Sequence, residues 1–371
     1  MKAVITGGGT GGHIYPALAV ADRLKKLGWE VLYIGSNFRL ESEIVPEAGF
    51  KFESIPVMSL PRKISFDIIY SIKENLKGLF KAYQIIKKYD ADIVIGTGGF
   101  VAGPVVLAAY FNNIFTLIHE QNAYPGITNK ISSFFADIIC LNFSEADQYF
   151  PKSVRKKTKL TGNPVRQEII DRTRMEGALE LGLNYDWKTI LIVGGSQGAE
   201  SINQASISLY RYISNNPKKK IQLLHITGKK NYQSVLEMLE NYKIDIENDS
   251  RIKIFSYLSN IENALAASDL VISRAGATGI SEITVKGLAA LLIPFPHSAE
   301  DHQLYNASSL CSNGAALMIE EKNLNGEILL RKTLEIIEND RRLKYMKQKS
   351  KAVAREDSLD KIINIIIEKI N

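Results

Sequence analysis

Three stretches of this 371-residue chain set glycine beside residues that can carry chemistry. Gly7-Gly8-Gly9-Thr10-Gly11-Gly12-His13 follows the apolar pair Val4-Ile5. Gly194-Gly195-Ser196-Gln197-Gly198-Ala199 follows Thr189–Val193. Arg274-Ala275-Gly276-Ala277-Thr278-Gly279-Ile280-Ser281-Glu282 follows Leu270–Ser273. A glycine-rich loop between a strand and a helix lets backbone N–H groups approach an anion unobstructed, and the helix N-terminus adds a favourable dipole. The plainer reading is a tight strand-to-helix turn. His13 stands where a helix begins. The positive end of the dipole there disfavours the imidazolium, and a neutral ring can act as general base; a capping or packing histidine is the alternative. Glu282 brings a carboxylate to a helix start. It could accept two hydrogen bonds from a vicinal diol such as a ribose, or simply favour the helix dipole from the first turn.

The elements that must hold these residues alternate between short apolar runs and helical periodicity. Val4-Ile5 leads into the first glycine loop, and Ile14, Ala17, Leu18, Ala21 and Leu24 then mark one helix face, which Gly28 stops. Strands are expected at Glu30–Gly35, Ile93–Ile95, Phe115–Ile118 and Ile138–Leu141, with a helix over Pro104–Tyr110. The pattern restarts near Thr189, with strands at Thr189–Val193, Ile221–Ile226, Ile252–Phe255, Leu270–Ser273 and Leu291–Pro294. Each half therefore opens as strand, glycine loop, helix, which predicts an α/β protein with two parallel sheets and right-handed crossovers. The basic run Lys152 to Lys159, followed by Gly162-Asn163-Pro164, marks a linker near 162. A last apolar-rich helix is expected from about Leu359 to Ile370.

Two tempting motifs lose ground in this frame. Gly7, Gly9 and Gly12 spell G-x-G-x-x-G, but a dinucleotide site wants an acid at the end of the second strand. Ile34-Gly35-Ser36-Asn37 offers none there. Asp90-Ala91-Asp92 has the D-x-D form of metal-dependent sugar-nucleotide enzymes, but it precedes its strand, whereas ligands of open α/β sheets bind at the other edge. No other metal-ligand cluster is apparent.

Composition narrows the class. Apolar residues make up 45% and charged residues 23%, as in globular proteins, and the length fits two domains. The net charge of +6 permits an anionic partner without demanding nucleic acid. Two distant cysteines, Cys140 and Cys311, build neither a disulfide framework nor a zinc site. No apolar run reaches the ~18 residues of a membrane span, and the start does not read as a signal peptide, so a cytoplasmic protein is expected.

Taken in order, the motifs resemble one family, the N-acetylglucosaminyltransferases of peptidoglycan synthesis (the MurG family). The resemblance rests on Gly8–His13, Gly98-Gly99-Phe100-Val101-Ala102-Gly103-Pro104, His119-Glu120-Gln121-Asn122 and Gly162-Asn163-Pro164-Val165-Arg166. It continues through Gly194–Ala199, Arg274–Ala277 with Ser281-Glu282, and Asp301-His302-Gln303 with Asn306-Ala307. It implies a glycosyltransferase-B fold, two Rossmann-like domains with parallel sheets facing across a cleft. The domains would be 1–161, joined by a returning helix at about 355–371, and 162–354, which binds the donor. Gly279 stands where Thr or Val is usual, Ala289 where Pro is frequent, and Ser59-Leu60-Pro61-Arg62-Lys63 lacks the glycine-rich loop often found there.

The implied activity is inverting transfer of GlcNAc from UDP-GlcNAc to the C4 hydroxyl of the MurNAc-pentapeptide of undecaprenyl-linked lipid I, giving lipid II. By the same resemblance Ser196 lies by the donor phosphates, Leu258 meets the uracil, and Ala277, Thr278, Gly279, Ile280, Ser281 and Glu282 hold the nucleotide, with Glu282 on the ribose. Gln303 contacts the donor sugar and Arg166 the nucleotide, while Thr10, Gly11, Gly12 and Asn122 lie near the donor sugar and acceptor. His13 is the first choice for the base and Glu120 the second, with a structural carboxylate as the alternative for Glu120. No cofactor or divalent cation is implied, because loop N–H groups and helix N-termini can stabilise the departing diphosphate. Rival readings are a UDP-sugar epimerase of the same fold, another UDP-sugar-dependent lipid glycosyltransferase, and a non-enzymatic nucleotide-binding module.

A lipid-linked acceptor also calls for an anionic membrane surface as partner, on the cytoplasmic face. Ile69, Ile72, Leu76, Leu79 and Phe80 recur at roughly helical spacing, flanked by Lys73, Lys77 and Lys81, with Arg62 and Lys63 upstream. An apolar stripe edged by lysines suits an interfacial helix; a core stripe with solvated lysines is the plainer reading. Burial separates the two. Tyr110 adds an interfacial aromatic by resemblance.

Overall fold

The computed structural model describes residues 1–58, 67–195, 197–246 and 248–370, with backbone alone for Asp67 and Ile68. Two compact units emerge: Met1–Val165 joined by Glu356–Asn371, and Arg166–Arg355.

The first unit holds β1 (Lys2–Thr6), α1 (Gly11–Lys26), β2 (Glu30–Gly35), α2 (Glu41–Glu47), β3 (Lys51–Ser54), α3 (Asp67–Tyr89), β4 (Ile93–Gly96) and α4 (Ala102–Phe111). Next come β5 (Phe115–Glu120), α5 (Ile127–Ser132), β6 (Ile138–Leu141) and β7 (Thr158–Leu160). The strands form one parallel sheet in the order β3-β2-β1-β4-β5-β6-β7. Alternate residues feed opposite faces, and the central strands β1, β4, β5 and β6 are buried on both sides. Ile5, Ile93, Ile95 and Leu117 pack with Ala17, Val20 and Leu24 of α1, whereas Val4, Leu32 and Val94 pack with Ala82 and Ile86 of α3 and Val105 of α4.

The second unit begins with α6 (Gln167–Asp171), α7 (Arg174–Glu180), β8 (Lys188–Val193), α8 (Glu200–Asn215), β9 (Ile221–Ile226), α9 (Tyr232–Asn241), β10 (Ile252–Phe255) and α10 (Ile261–Ala267). It continues with β11 (Leu270–Ser273), α11 (Ala277–Val285), β12 (Ala289–Leu292), α12 (His302–Ser312), β13 (Ala316–Met318), α13 (Gly326–Ile337) and α14 (Asp340–Val353). Its parallel sheet runs β10-β9-β8-β11-β12-β13. The last helix, α15 (Ser358–Ile370), belongs to the first unit, where Ile362, Ile363 and Ile366 enter the α1 side of the core and Asp360 meets Arg23 at 3.1 Å.

Three strands differ from the sequence expectation because they are short edges. β3 and β13 were not anticipated, and the basic run expected to be linker contains β7, paired to β6 through Ile139–Thr158. The strand expected at Leu291–Pro294 is β12, Ala289–Leu292. Leu288 to Ile293 is uniformly buried, so hydrophobicity cannot say where pairing starts; the register Leu270–Ala289 with β11 decides it.

Candidate functional site

In the first unit the glycine loop ends β1, and Thr10 is the exposed N-cap of α1, with Gly11, Gly12 and His13 in its first turn. Gly8 lies against the Gly98-Gly99 turn after β4. Gly8 N donates to Gly98 O at 3.2 Å, and a Cβ on Gly99 would sit 2.2 Å from Gly8 O, so only glycine permits the approach. The half-buried His13 ring rests over Gly98, where an added Cβ would come 3.0 Å from it. Its Nδ1 lies 3.0 Å from Thr97 O and 3.2 Å from Gln121 Oε1. Thr97 Oγ1 donates to the His13 backbone carbonyl at 2.8 Å. Both neighbours of Nδ1 are acceptors, so Nδ1 carries the proton and Nε2 is the basic nitrogen.

Glu120, the second candidate for the base, has the contacts of the structural alternative. It is the last residue of β5, at the strand's C-terminal end as expected, and it is 1% exposed. One carboxylate oxygen accepts from Asn122 N at 2.8 Å and Asn122 Nδ2 at 3.2 Å. The other accepts from Gly126 N at 3.1 Å and Asn129 Nδ2 at 2.8 Å. Burial raises its pKa and these bonds oppose the rise. Four donors clamp the 120–129 turn to this carboxylate, which suits holding half-buried Asn122 in place and leaves poor access for a substrate hydroxyl.

A second buried carboxylate escaped the sequence reading. Glu41, 0% exposed, accepts from Gly9 N at 2.9 Å, Ser36 N at 3.2 Å and Ser36 Oγ at 2.6 Å. The acid missing at the end of β2 thus arrives from α2 and braces the glycine loop from behind. Asp92, by contrast, accepts from Lys2 N at 2.7 Å at the opposite edge of the sheet. Among the described residues no group of three or more His, Cys, Asp or Glu could hold a metal ion.

In the second unit, the loop after β8 meets the turn after β9. A Cβ on Gly198 would lie 2.2 Å from Thr227 O, and one on Gly228 2.7 Å from Gly198 Cα. Ser196 falls outside the described residues. α11 starts at Ala277 with Gly276 as N-cap, so the N–H groups of Ala277, Thr278 and Gly279 lack partners within the helix. Thr278 Oγ1 is buried with no hydrogen-bond partner. Ile280 and Ser281 are buried, Ser281 Oγ donating to Ala277 O at 3.0 Å. Glu282 is the sixth residue of α11, beyond the first turn, which removes the helix-dipole alternative. Its side chain makes no hydrogen bond among the described residues. Burial pushes its pKa up to about 7, Arg166 pulls it down, and Glu262 adds to the rise. Arg166 Nη2 lies 3.9 Å from Glu262 Oε2.

Gln303 Oε1 accepts from Ala275 N at 3.2 Å and Phe295 N at 3.0 Å, tying the start of the Arg274–Glu282 stretch to the segment after β12. Asn306 Nδ2 donates to Ala275 O at 3.1 Å. Leu258, half-buried, follows the C-terminal end of β10. These positions share the edge of the second sheet where open α/β sheets bind ligands.

Burial also sorts the stripe on α3. Ile69, Leu76 and Phe80 are 69%, 60% and 64% exposed, and Ile72 is exposed with them. Lys73, Lys77 and Lys81 are exposed beside them, Lys77 reaching Glu74 at 2.6 Å. Leu79 is the correction: it is partly buried against the core cluster that includes Ala82 and Ile86 of α3, so it belongs to the core. Tyr110 is exposed and edges against Phe111 and Phe135. Phe111, Ile127, Ile131 and Phe134, not singled out from sequence, are exposed as well. Arg62 and Lys63 lie outside the described residues. No described helix is long and apolar enough to cross a membrane.

Comparison with known proteins agrees with this arrangement. The model of the Glycosyltransferase family 28 N-terminal domain matches residues 3–140, and that of the family 28 C-terminal domain residues 189–362. A Halothermothrix orenii protein described as UDP-N-acetylglucosamine–N-acetylmuramyl-(pentapeptide) pyrophosphoryl-undecaprenol N-acetylglucosamine transferase is 49% identical over 366 residues, covering 99% of this chain and 98% of that one. Among solved structures, Acinetobacter baumannii MurG superposes with a TM-score of 0.78 at 26% identity, covering 99% of each chain. A structure described as a putative UDP-N-acetylglucosamine 2-epimerase from Listeria monocytogenes reaches a TM-score of 0.69 at 15% identity, covering 98% of this chain and 95% of that one, and shares the fold alone. The described site edges, the two family domains and the full-length identity converge: the chain belongs to glycosyltransferase family 28 and, within it, to the MurG family.

Proposed function

We propose that the chain transfers GlcNAc from UDP-GlcNAc to the C4 hydroxyl of the MurNAc-pentapeptide on undecaprenyl-linked lipid I, giving lipid II for peptidoglycan. Family membership across 99% of the chain carries this reading. The acceptor oxygen attacks the anomeric carbon from the face opposite the diphosphate, the C1–O bond to UDP breaks, and the configuration inverts. The hydroxyl proton passes to His13 Nε2, and the Nδ1–H contact with Thr97 O supports the developing imidazolium. Thr10, Gly11, Gly12 and Asn122 line this acceptor side.

The donor belongs to the second unit. Its diphosphate lies at the Gly194–Ala199 loop, whose glycines allow backbone N–H groups to reach it. Leu258 meets the uracil through its backbone, and Ala277–Glu282 holds the nucleotide, with Glu282 on the ribose. Glu282, with no hydrogen bond of its own among the described residues, accepts from the ribose diol, and Arg166 steadies its charge. Gln303 meets the sugar through Nε2, since its Oε1 is already bonded. The negative charge of departing UDP is met by backbone dipoles, and no divalent cation is required there.

The enzyme works as a peripheral protein on the cytoplasmic face of the plasma membrane. Ile69, Ile72, Leu76, Phe80 and Tyr110 enter the interface, while Lys73, Lys77 and Lys81 meet anionic headgroups. An exposed apolar stripe beside three exposed lysines supports this.

UDP release from UDP-GlcNAc, measured with and without lipid I, tests the reaction. Release that depends on lipid I is expected. Lipid I-independent release, or epimerisation at C2 of the sugar, would exclude the proposed transfer.

A further inference from the structure

Behind His13 lies a chain of buried groups whose donors and acceptors can be ordered in only one direction. It starts at the backbone carbonyl of Gly162, which can only accept, and His119 Nε2 lies 2.9 Å away. His119 Nε2 therefore carries a proton. His119 is 2% exposed, and burial lowers its pKa to about 4, with His13 pushing the same way and the Gly162 bond opposing. The ring stays neutral near pH 7, so its Nδ1 is an acceptor.

Gln121 stands next in line, 1% exposed, and 3.1 Å separates its amide from His119 Nδ1. Only the NH2 group can face an acceptor, and it also donates to Thr97 O at 2.7 Å. That fixes which way the amide points: Oε1 faces His13 Nδ1 at 3.2 Å. The backbone of Gln121 is itself held, because Asn142 Nδ2 donates to its carbonyl at 2.9 Å. His13 Nδ1 thus meets two acceptors, Gln121 Oε1 and Thr97 O, and must be the protonated nitrogen. The other tautomer would set lone pair against lone pair at both contacts.

We propose that Gln121 is a positioning residue for the transfer reaction: held in one amide orientation by His119, it fixes the Nδ1–H tautomer of His13 and so directs the basic Nε2 towards the acceptor hydroxyl. The inference rests on His13 as the base. The relay spans β5, the turn after β4 and the segment after β7, three separate parts of the first unit. Thr97 O remains a second acceptor when Gln121 is lost, so Gln121 sharpens the tautomer rather than creating it alone.

The test uses the full-length enzyme. Its histidines are labelled with 15N, and the His13 resonances are identified by their disappearance in His13→Gln among the five histidines of the chain. The neutral wild-type ring is expected to show a protonated Nδ1 and an unprotonated Nε2. In Gln121→Met, similar in length but unable to accept or donate through an amide, that pattern gives way to a mixture of tautomers. The same variant should lose ~10- to 100-fold in kcat, less than a whole general-base contribution of ~10²–10⁴. KM for UDP-GlcNAc and for lipid I should stay within about twofold of wild type, because Gln121 is 1% exposed and out of a substrate's reach. A wild-type His13 protonated on Nε2 overturns the inference without any variant. A folded Gln121→Met with wild-type kcat overturns it too. Undiminished turnover in His13→Ala would instead remove His13 as the base, which separates failure of the functional reading from failure of the relay.

Discussion

Replacing Glu282 by glutamine should stabilise the fold and weaken donor binding in one step. The side chain sits on the sixth residue of α11 with no hydrogen bond among the described residues. Burial and the neighbouring Glu262 raise its pKa from 4.5 to about 7 despite Arg166. Unfolded, the carboxyl releases its proton near 4.5; folded, it holds the proton until about 7. Between those values the folded chain binds more protons, so stability falls as pH rises across that window and stays reduced above it. At ~1.36 kcal/mol per pH unit, the full loss is on the order of 3 kcal/mol. Glutamine never ionises. Chemical denaturation of the second unit should therefore find Glu282→Gln more stable than wild type at pH 8 by up to ~3 kcal/mol, with the gap closing below about pH 4.5. Binding should move the other way. Loss of a charge-assisted acceptor for the ribose diol costs ~1.5–3 kcal/mol, a ~10- to 150-fold weaker Kd for UDP-GlcNAc by calorimetry. In wild type only about a tenth of Glu282 is ionised at pH 6, so affinity should also drop ~10-fold between pH 8 and pH 6, and the variant should lose that dependence. UDP-GlcNAc suits the measurement because its diphosphate is a diester and does not titrate in this range. Unchanged affinity in the variant, or a variant less stable than wild type at pH 8, would refute the reasoning.

His13→Ala should cut turnover ~10²–10⁴-fold with UDP-GlcNAc affinity little changed, checked by steady-state kinetics beside calorimetry. Chelation should leave the rate of UDP release intact, because backbone N–H groups stabilise the diphosphate; loss of activity restored by Mg²⁺ would contradict this. Changing Lys73, Lys77 and Lys81 together to Glu should abolish sedimentation with anionic vesicles at physiological salt, each lysine contributing ~1 kcal/mol near the surface. Glu120→Ala should lower stability by ~3 kcal/mol or more, since four donors lose their acceptor; a variant of unchanged thermal midpoint would refute the clamp.

The two-sheet architecture was readable because each half repeats strand, glycine loop and amphipathic helix, and buried parallel strands are apolar throughout. What escaped has physical reasons. β7 is Thr-Lys-Leu, an edge strand with exposed side chains, and looks like a basic linker until its pairing with β6 is seen. β3, Lys-Phe-Glu-Ser, is likewise a half-exposed edge. Leu79 shares the spacing of the exposed stripe, yet it rotates just far enough round α3 to join the core beside Ala82. Periodicity finds an apolar face but not its boundary. Glu41 was invisible because its partners Gly9 and Ser36 come from two other loops, and Gln121 because its role lies in the direction of its hydrogen bonds rather than in its type.

Three buried or half-buried carboxylates show why residue type alone could not assign roles. Glu41 and Glu120 each end among backbone and side-chain donors: Gly9 and Ser36 for one, and Asn122, Gly126 and Asn129 for the other. Those bonds compensate for lost hydration and turn the charge into a brace for a loop. Glu282 is half-buried but meets no donor among the described residues, and burial raises its proton affinity, an effect that the Arg166 guanidinium only partly offsets. A protein keeps such a group at a cost to its own stability, and the cost is recovered when a ligand supplies the missing donors. On that argument the satisfied carboxylates are braces, and the unsatisfied one is the candidate to bind a ligand. The distinction follows from counting hydrogen bonds, and it is why substitution of Glu120 should be read in stability while substitution of Glu282 should be read in affinity.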